Sequence, residues 1–120
     1  CLVTGAARGI GYGIASKFAS EGVTRIGIVD LSLDQIEDAC RTLRTKHPNC
    51  DFVPISCDVG DEVAVMTCWN DFANLNNGRI DILVQAAGIV GITNVQTENV
   101  EHQNFEDVFR VNVGGIFNGC

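Results

Sequence analysis

The sequence predicts an α/β domain in which parallel strands alternate with helices that cover both faces of one sheet. Three observations carry that expectation. Apolar runs of strand length alternate with amphipathic runs of helix length along the chain; a glycine-rich octet, Thr4-Gly5-Ala6-Ala7-Arg8-Gly9-Ile10-Gly11, separates the first such pair; and an acid, Asp30, closes the second apolar run. Strands joined through helices need right-handed crossovers and so lie parallel.

Cys1-Leu2-Val3 reads as the first strand, and Ile10 to Glu21, with Ile14, Ala15, Phe18 and Ala19 on one side, as the first helix. Gly22 stops that helix, and Arg25 to Asp30 follows as a second, mostly buried strand. Ser32, three residues before Gln35, has capping-box spacing for a helix whose Leu33, Ile36, Ala39, Cys40 and Leu43 share a face and which His47-Pro48 ends. Phe52 to Val59 is the third strand; Pro54 within it lacks a ladder donor, which argues for an edge position or a bulge. After Gly60-Asp61 a helix to about Leu75 is expected to bury Val63, Met66, Trp69, Phe72 and Ala73, and Asn76-Asn77-Gly78 turns the chain. Ile80 to Val84 is the fourth strand. Gln85-Ala86-Ala87-Gly88, a polar stretch from Thr93 to His102 and a last helix from about Phe105 to Phe117 complete the pattern. The first three strands form one mononucleotide-binding half, and the fourth lies on the other side of the first, opening a crevice at the strands' carboxyl ends beside the octet.

With 120 residues, 46% of them hydrophobic, and no break in composition, residues 1–120 read as one domain with its own core. A formal net charge of -7 argues against nucleic acid or an anionic membrane as partner, since most of the surface would repel a phosphate polymer. No run is long and apolar enough for a membrane span or a signal peptide. The six cysteines form no C-x-x-C pair and the two histidines are far apart, so neither a disulfide framework nor a metal site is expected. Reduced, partly buried thiols fit a reducing, cytoplasmic compartment. The chain opens inside a strand and closes in or just after a helical pattern, so a part of a longer protein is expected.

The octet is where chemistry is expected. A helix start carries unpaired N–H groups and a partial positive charge, which makes a bare glycine turn a seat for a diphosphate. Gly5 suits a turn conformation closed to other residues, Gly9 lets backbone approach a ligand, and Gly11 lets the helix pack closely. The G-x-x-x-G-x-G spacing differs from the common G-x-G-x-x-G fingerprint and from a P-loop, and no Lys follows to grip a β/γ-phosphate. A purely structural turn is the bland alternative. Asp30, nineteen residues after Gly11, argues against it, because an acid at the end of the second strand accepts hydrogen bonds from an adenosine ribose. A carboxylate there repels a 2′-phosphate and Leu31 supplies no cation, which favours NAD over NADP; Arg8 in the turn keeps NADP as the lesser option.

Over its whole length the sequence resembles the short-chain dehydrogenase/reductase family, whose fold is a Rossmann-like, three-layer, doubly wound sheet. This chain would hold an incomplete version with about four strands and four helices. Thr4 to Gly11 matches the family's T-G-x-x-x-G-x-G turn, with Gly5, Arg8, Gly9, Ile10 and Gly11 as the cofactor-binding stretch, and Asp30 matches the ribose-binding acid. Asp58-Val59 resembles the adenine-pocket pair, Asp58 accepting from the amino group and Val59 touching the ring. Ala87 and Gly88 leave space for the cofactor's other ribose, and Asn112, followed by Val113 and Gly115, resembles the tetrad asparagine that supports a proton relay. A kink or packing role is the local alternative for Asn112, since Asn and Gly114-Gly115 both weaken a helix.

Two departures stand out. The family's N-N-A-G is Gln85-Ala86-Ala87-Gly88 here, without the polar side chain at 86. The family's Tyr, Lys and Ser lie beyond Asn112 and have no counterpart in this chain; Tyr12 is its one tyrosine, with Lys17 five residues on in the first helix. A tyrosine needs a neighbouring ammonium to carry protons near neutrality, so the 120 residues alone are expected to be inactive. The resemblance implies an NAD-dependent alcohol/carbonyl oxidoreductase with a small-molecule substrate, a homodimer or homotetramer at full length. A non-catalytic nucleotide sensor or scaffold, and a sugar-nucleotide enzyme on the related fold, are the competing functions.

Overall fold

The computed structural model describes residues 1–120. Strand β1 (Leu2–Thr4), helix α1 (Gly9–Ser20), β2 (Arg25–Asp30), α2 (Leu33–Lys46), β3 (Asp51–Ser56), α3 (Glu62–Leu75) and β4 (Leu83–Gln85) alternate as expected. A 3-10 turn (Thr97–Asn99) then leads to α4 (His102–Phe109), a π-helical turn (Arg110–Gly114) and α5 (Gly115–Gly119). The four strands form one parallel sheet in the order β3-β2-β1-β4. Val3 lies opposite Ile28 on one side and Val84 on the other, which makes β1 central.

Successive strand residues face opposite sides of the sheet, and the two sides have separate cores. Val3, Ile26, Ile28 and Phe52 pack with Ala15 of α1 and with Ile36, Cys40 and Leu43 of α2. Leu2 and Val29 pack on the other face with Val65 and Phe72 of α3. Burying a side chain such as Phe52 or Phe72 contributes about 2 kcal/mol, and both are fully buried. Gly27 leaves the room Phe72 occupies: a Cβ there would lie 3.0 Å from the ring. Pro54 is in β3, the outer strand of its side, where its missing N–H interrupts no further pairing.

Several boundaries and faces differ from the sequence reading. In α3, Met66 and Val63 are 57% and 71% exposed, whereas Val65 and Phe72 form the buried face. The start of that helix is set by Asp61, whose Oδ1 accepts from Val63 and Ala64 N–H, and the residues seven apart, Val65 and Phe72, then point at the sheet. Trp69 is half-buried and its indole donates to the Gly119 carbonyl at 3.3 Å. Ser32 does occupy the N-cap of α2, but its side chain makes no capping bond, so the capping box is not formed. Strand β3 stops at Ser56, after which Cys57 N–H still donates to the Asp30 carbonyl. The last helical run starts earlier, at His102, and is broken by the π turn. Phe105, Phe109, Val113 and Ile116 on it are exposed, with the Phe105 and Phe109 rings 4.8 Å apart. No helix is long and apolar enough to cross a membrane.

The segment after β4 is tied to β1 through one hydroxyl. Thr4 Oγ1, buried, accepts from Ala86 and Ala87 N–H at 3.1 and 3.2 Å. Thr4→Val keeps shape but strands both donors, so a loss of about 2 kcal/mol is expected in urea unfolding. A loss no larger than that of a surface substitution would show that these bonds carry no stability.

Candidate cofactor site

The crevice is built where β1 runs into α1. Gly5 takes a positive φ of 62°, and a Cβ there would lie 2.6 Å from the Ala86 carbonyl oxygen, so the chain passes beneath the segment after β4 only with glycine. A Cβ on Gly11 would collide with the Gly5 carbonyl oxygen and lie 3.0 Å from that of Thr4. Gly9 differs: its φ is 59°, yet a Cβ there would meet nothing within 4 Å. The space over Gly9 at the start of α1 is therefore open. Arg8 is the N-cap, extended and without a side-chain capping bond, which leaves the first-turn N–H groups free to face an anion.

Asp30 stands at the edge of this turn. Its Oδ2 accepts from Ala7 N–H at 3.1 Å and its Oδ1 from Leu31 N–H at 2.8 Å. Each oxygen retains a lone pair, so a fixed carboxylate can still accept from a ligand. Asp58 is held in the same manner: Oδ1 accepts from Gly60 N–H at 2.9 Å, and Oδ2 accepts from Arg110 Nη1 at 2.8 Å. Val59 is buried, and its N–H donates to no protein acceptor.

A cavity of about 370 Å³ runs along these carboxyl ends. Gly5, Arg8, Ile10, Gly11, Asp30, Asp58, Val59, Ala87 and Gly88 line it, as the sequence reading brought together; Gly9 and Asn112 do not. Gly9 lies on the open side. Asn112, in the middle of the π turn, is bound to the loop after Gly88: its Oδ1 accepts from Ile89 N–H and its Nδ2 donates to the Ile89 carbonyl, both at 2.8 Å. Its side chain thus pins the loop after Gly88, and a Cβ on Gly88 would come within 3.2 Å of Asn112 Oδ1.

Sequence reasoning missed Leu31, Cys57, Ala86, Ile89, Val111 and above all Arg110 as lining residues. Arg110 meets Asp58 from 52 positions away, a separation no local pattern reports. Its one signal is a cation two residues before Asn112. All six cysteines are free. Burial first, then a hydrogen bond with Cys68, then the nearby Asp58 and Asp61 push the Cys57 thiol up from 9.0 to about 12. A raised thiol pKa favours the protonated folded form, so this group's contribution to stability is full below about pH 9 and lost as pH climbs toward about 12. Since the thiolate is the nucleophile, Cys57 is expected to resist iodoacetamide in the native protein at about pH 8 and to react only after denaturation. Native labelling of the Cys57 peptide at the unfolded rate would contradict this.

Fold and crevice together place the chain in the Rossmann-like α/β class. The family model for short chain dehydrogenases matches residues 1–120, and the chain belongs to that family. It is 38% identical to the 2-(R)-hydroxypropyl-CoM dehydrogenase of Xanthobacter autotrophicus, with 99% of this chain covering 47% of that protein. With the D-threitol dehydrogenase of Mycolicibacterium smegmatis it shares 36% identity, 99% of this chain covering 44% of that one. Among solved structures, NAD+-bound xylitol dehydrogenase superposes with a TM-score of 0.88 at 32% identity, over 99% of this chain and 44% of that chain. The L-sorbose reductase of Gluconobacter frateurii complexed with NADPH and L-sorbose gives 0.83 at 26% identity, over 98% and 43%. The chain therefore spans less than half the length of these relatives.

Proposed function

We propose that the full-length protein is an NAD-dependent oxidoreductase acting on a small alcohol or carbonyl compound, and that residues 1–120 supply its cofactor-binding part. The observation that carries this reading is the Asp30 carboxylate, fixed by two backbone donors beside a glycine-lined helix start and facing the cavity. When bound, the nicotinamide supplies the hydride chemistry, and this chain supplies position and charge. Gly5, Gly9, Ile10 and Gly11 would carry the pyrophosphate at the start of α1, with Arg8 beside it. Asp30 would accept from the adenosine ribose hydroxyls, Asp58 from the adenine amino group, and Val59 would offer its N–H to the ring. Ala87 and Gly88 would border the nicotinamide ribose. Asn112, by pinning Ile89, would hold the cavity wall on which a proton relay depends.

The cavity lining includes no tyrosine or lysine, and Tyr12 instead meets Lys46, 3.4 Å from its hydroxyl, on the far side of α1. The 120 residues alone are thus expected to bind dinucleotide without turnover. Similarity to xylitol dehydrogenase, L-sorbose reductase and D-threitol dehydrogenase supports a polyol or simple alcohol as substrate. The exposed row Phe105, Phe109, Val113 and Ile116 supports a dimer or tetramer, and six free thiols support a cytoplasmic site. The test is to titrate the full-length protein with NAD and NADP and to follow nicotinamide reduction across a panel of alcohols. Binding of neither nucleotide ends the reading; binding of NAD without turnover on any alcohol or carbonyl favours a sensor.

A further inference from the structure

We propose that Arg110 is a positioning residue for base recognition: it fixes the Asp58 carboxylate so that the cavity accepts a purine with an amino donor at C6 and rejects one with a carbonyl there. This rests on the reading of Asp58 and Val59 as the adenine-facing pair. Of the ion pairs in the chain, Arg110 with Asp58 is the one that reaches into the cavity, and it joins the loop after β3 to the π turn across 52 residues. The two groups are 47% and 36% exposed, so the pair is partly withdrawn from water and less screened than the helical i,i+4 pair Lys17 with Glu21.

The geometry determines what Asp58 can still do. A carboxylate offers about two lone pairs per oxygen. Gly60 N–H takes one on Oδ1 and the Arg110 guanidinium one on Oδ2, which prevents rotation of the carboxylate and leaves acceptors, never a donor, toward the cavity. The neighbouring Val59 N–H is a donor without a protein partner. An acceptor beside a donor matches an amino group next to an unprotonated ring nitrogen, as in adenine. Hypoxanthine presents a carbonyl and a protonated ring nitrogen in those places, so both contacts become like against like. Without Arg110 the carboxylate can turn, and the contrast fades. The guanidinium itself is held by Gly60: a Cβ there would collide with Arg110 Nη1 and lie 2.9 Å from Cζ. Gly60→Ala therefore dislodges the guanidinium without removing any charge.

The experiment measures dissociation constants of the full-length protein for NAD and for nicotinamide hypoxanthine dinucleotide. Wild type is expected to prefer NAD by at least about tenfold, the discrimination of a mispaired polar contact. In Arg110→Met and in Gly60→Ala the preference is expected to fall to about twofold or less, and in Arg110→Lys to recover in part, since an ammonium restores charge without the planar fork. Thermal unfolding identifies any variant that does not fold, and Gly60→Ala then decides the matter alone. A preference that survives both substitutions, or affinities for the two nucleotides that fall by the same factor, overturns the role of Arg110. A wild type that binds NAD without any base preference overturns it too, while a wild type that binds neither nucleotide overturns the functional reading beneath it.

Discussion

Gly11→Ala in the full-length protein is expected to destabilise the fold by about 3 kcal/mol, the upper range for overpacking against unyielding neighbours, and to weaken NAD binding at least ~10-fold. The added Cβ would collide with the Gly5 carbonyl oxygen and come 2.8 Å from its carbonyl carbon. These are backbone atoms of a turn whose own path is confined by Ala86, so no side chain can swing aside. Either α1 lifts from β1 or the turn deforms, and both move the free N–H groups at the helix start. Gly9→Ala is the matched control. Nothing within 4 Å opposes its methyl, and its cost to folding is the ~1 kcal/mol of a left-handed alanine, yet that methyl enters the open space where a phosphate would lie. Urea unfolding and NAD titration of the two variants should therefore separate: Gly11→Ala loses stability and binding together, and Gly9→Ala loses mainly binding. Two variants of equal stability would refute the packing account of Gly11.

Asp30→Ala is expected to raise the NADP/NAD affinity ratio by at least ~10-fold, equivalent to ~1.4 kcal/mol. The carboxylate is oriented by Ala7 and Leu31 N–H, so it would accept ribose hydroxyls without first losing rotational freedom, and its charge would oppose a 2′-phosphate. Its removal deletes the repulsion while Arg8, also lining the cavity, stays available to the phosphate. Asp30→Asn, which keeps an acceptor for Ala7 but not the charge, should shift the ratio in the same direction while retaining more stability. An unchanged ratio in both variants would remove Asp30 from cofactor choice.

Much of this architecture is legible in the residues. The alternation of apolar runs with amphipathic ones specifies parallel strands, and Pro54 marks the outer strand because a missing N–H is harmless only there. A run of threes misleads on the face of α3: steps of three drift about 60° each around a helix and carry Val63 to the side opposite Phe72. Val65 and Phe72, seven apart, stay aligned and meet Leu2 and Val29, so an apparent pattern did not decide the buried face. The same holds for Ser32, whose spacing to Gln35 satisfies a capping pattern that its side chain does not use.

The sequence by itself determined the strand–turn–helix start, the acid at the end of β2 and the membership of the family, because each depends on residues close together in the chain or in fixed order. Tertiary structure alone decided that Arg110 holds Asp58, that Asn112 grips Ile89, and that Thr4 ties β1 to Ala86 and Ala87. Those contacts join segments 23 to 83 residues apart, and such pairs meet only after the sheet has ordered its strands and a π turn has rotated the last helix. Local periodicity carries no information about that rotation.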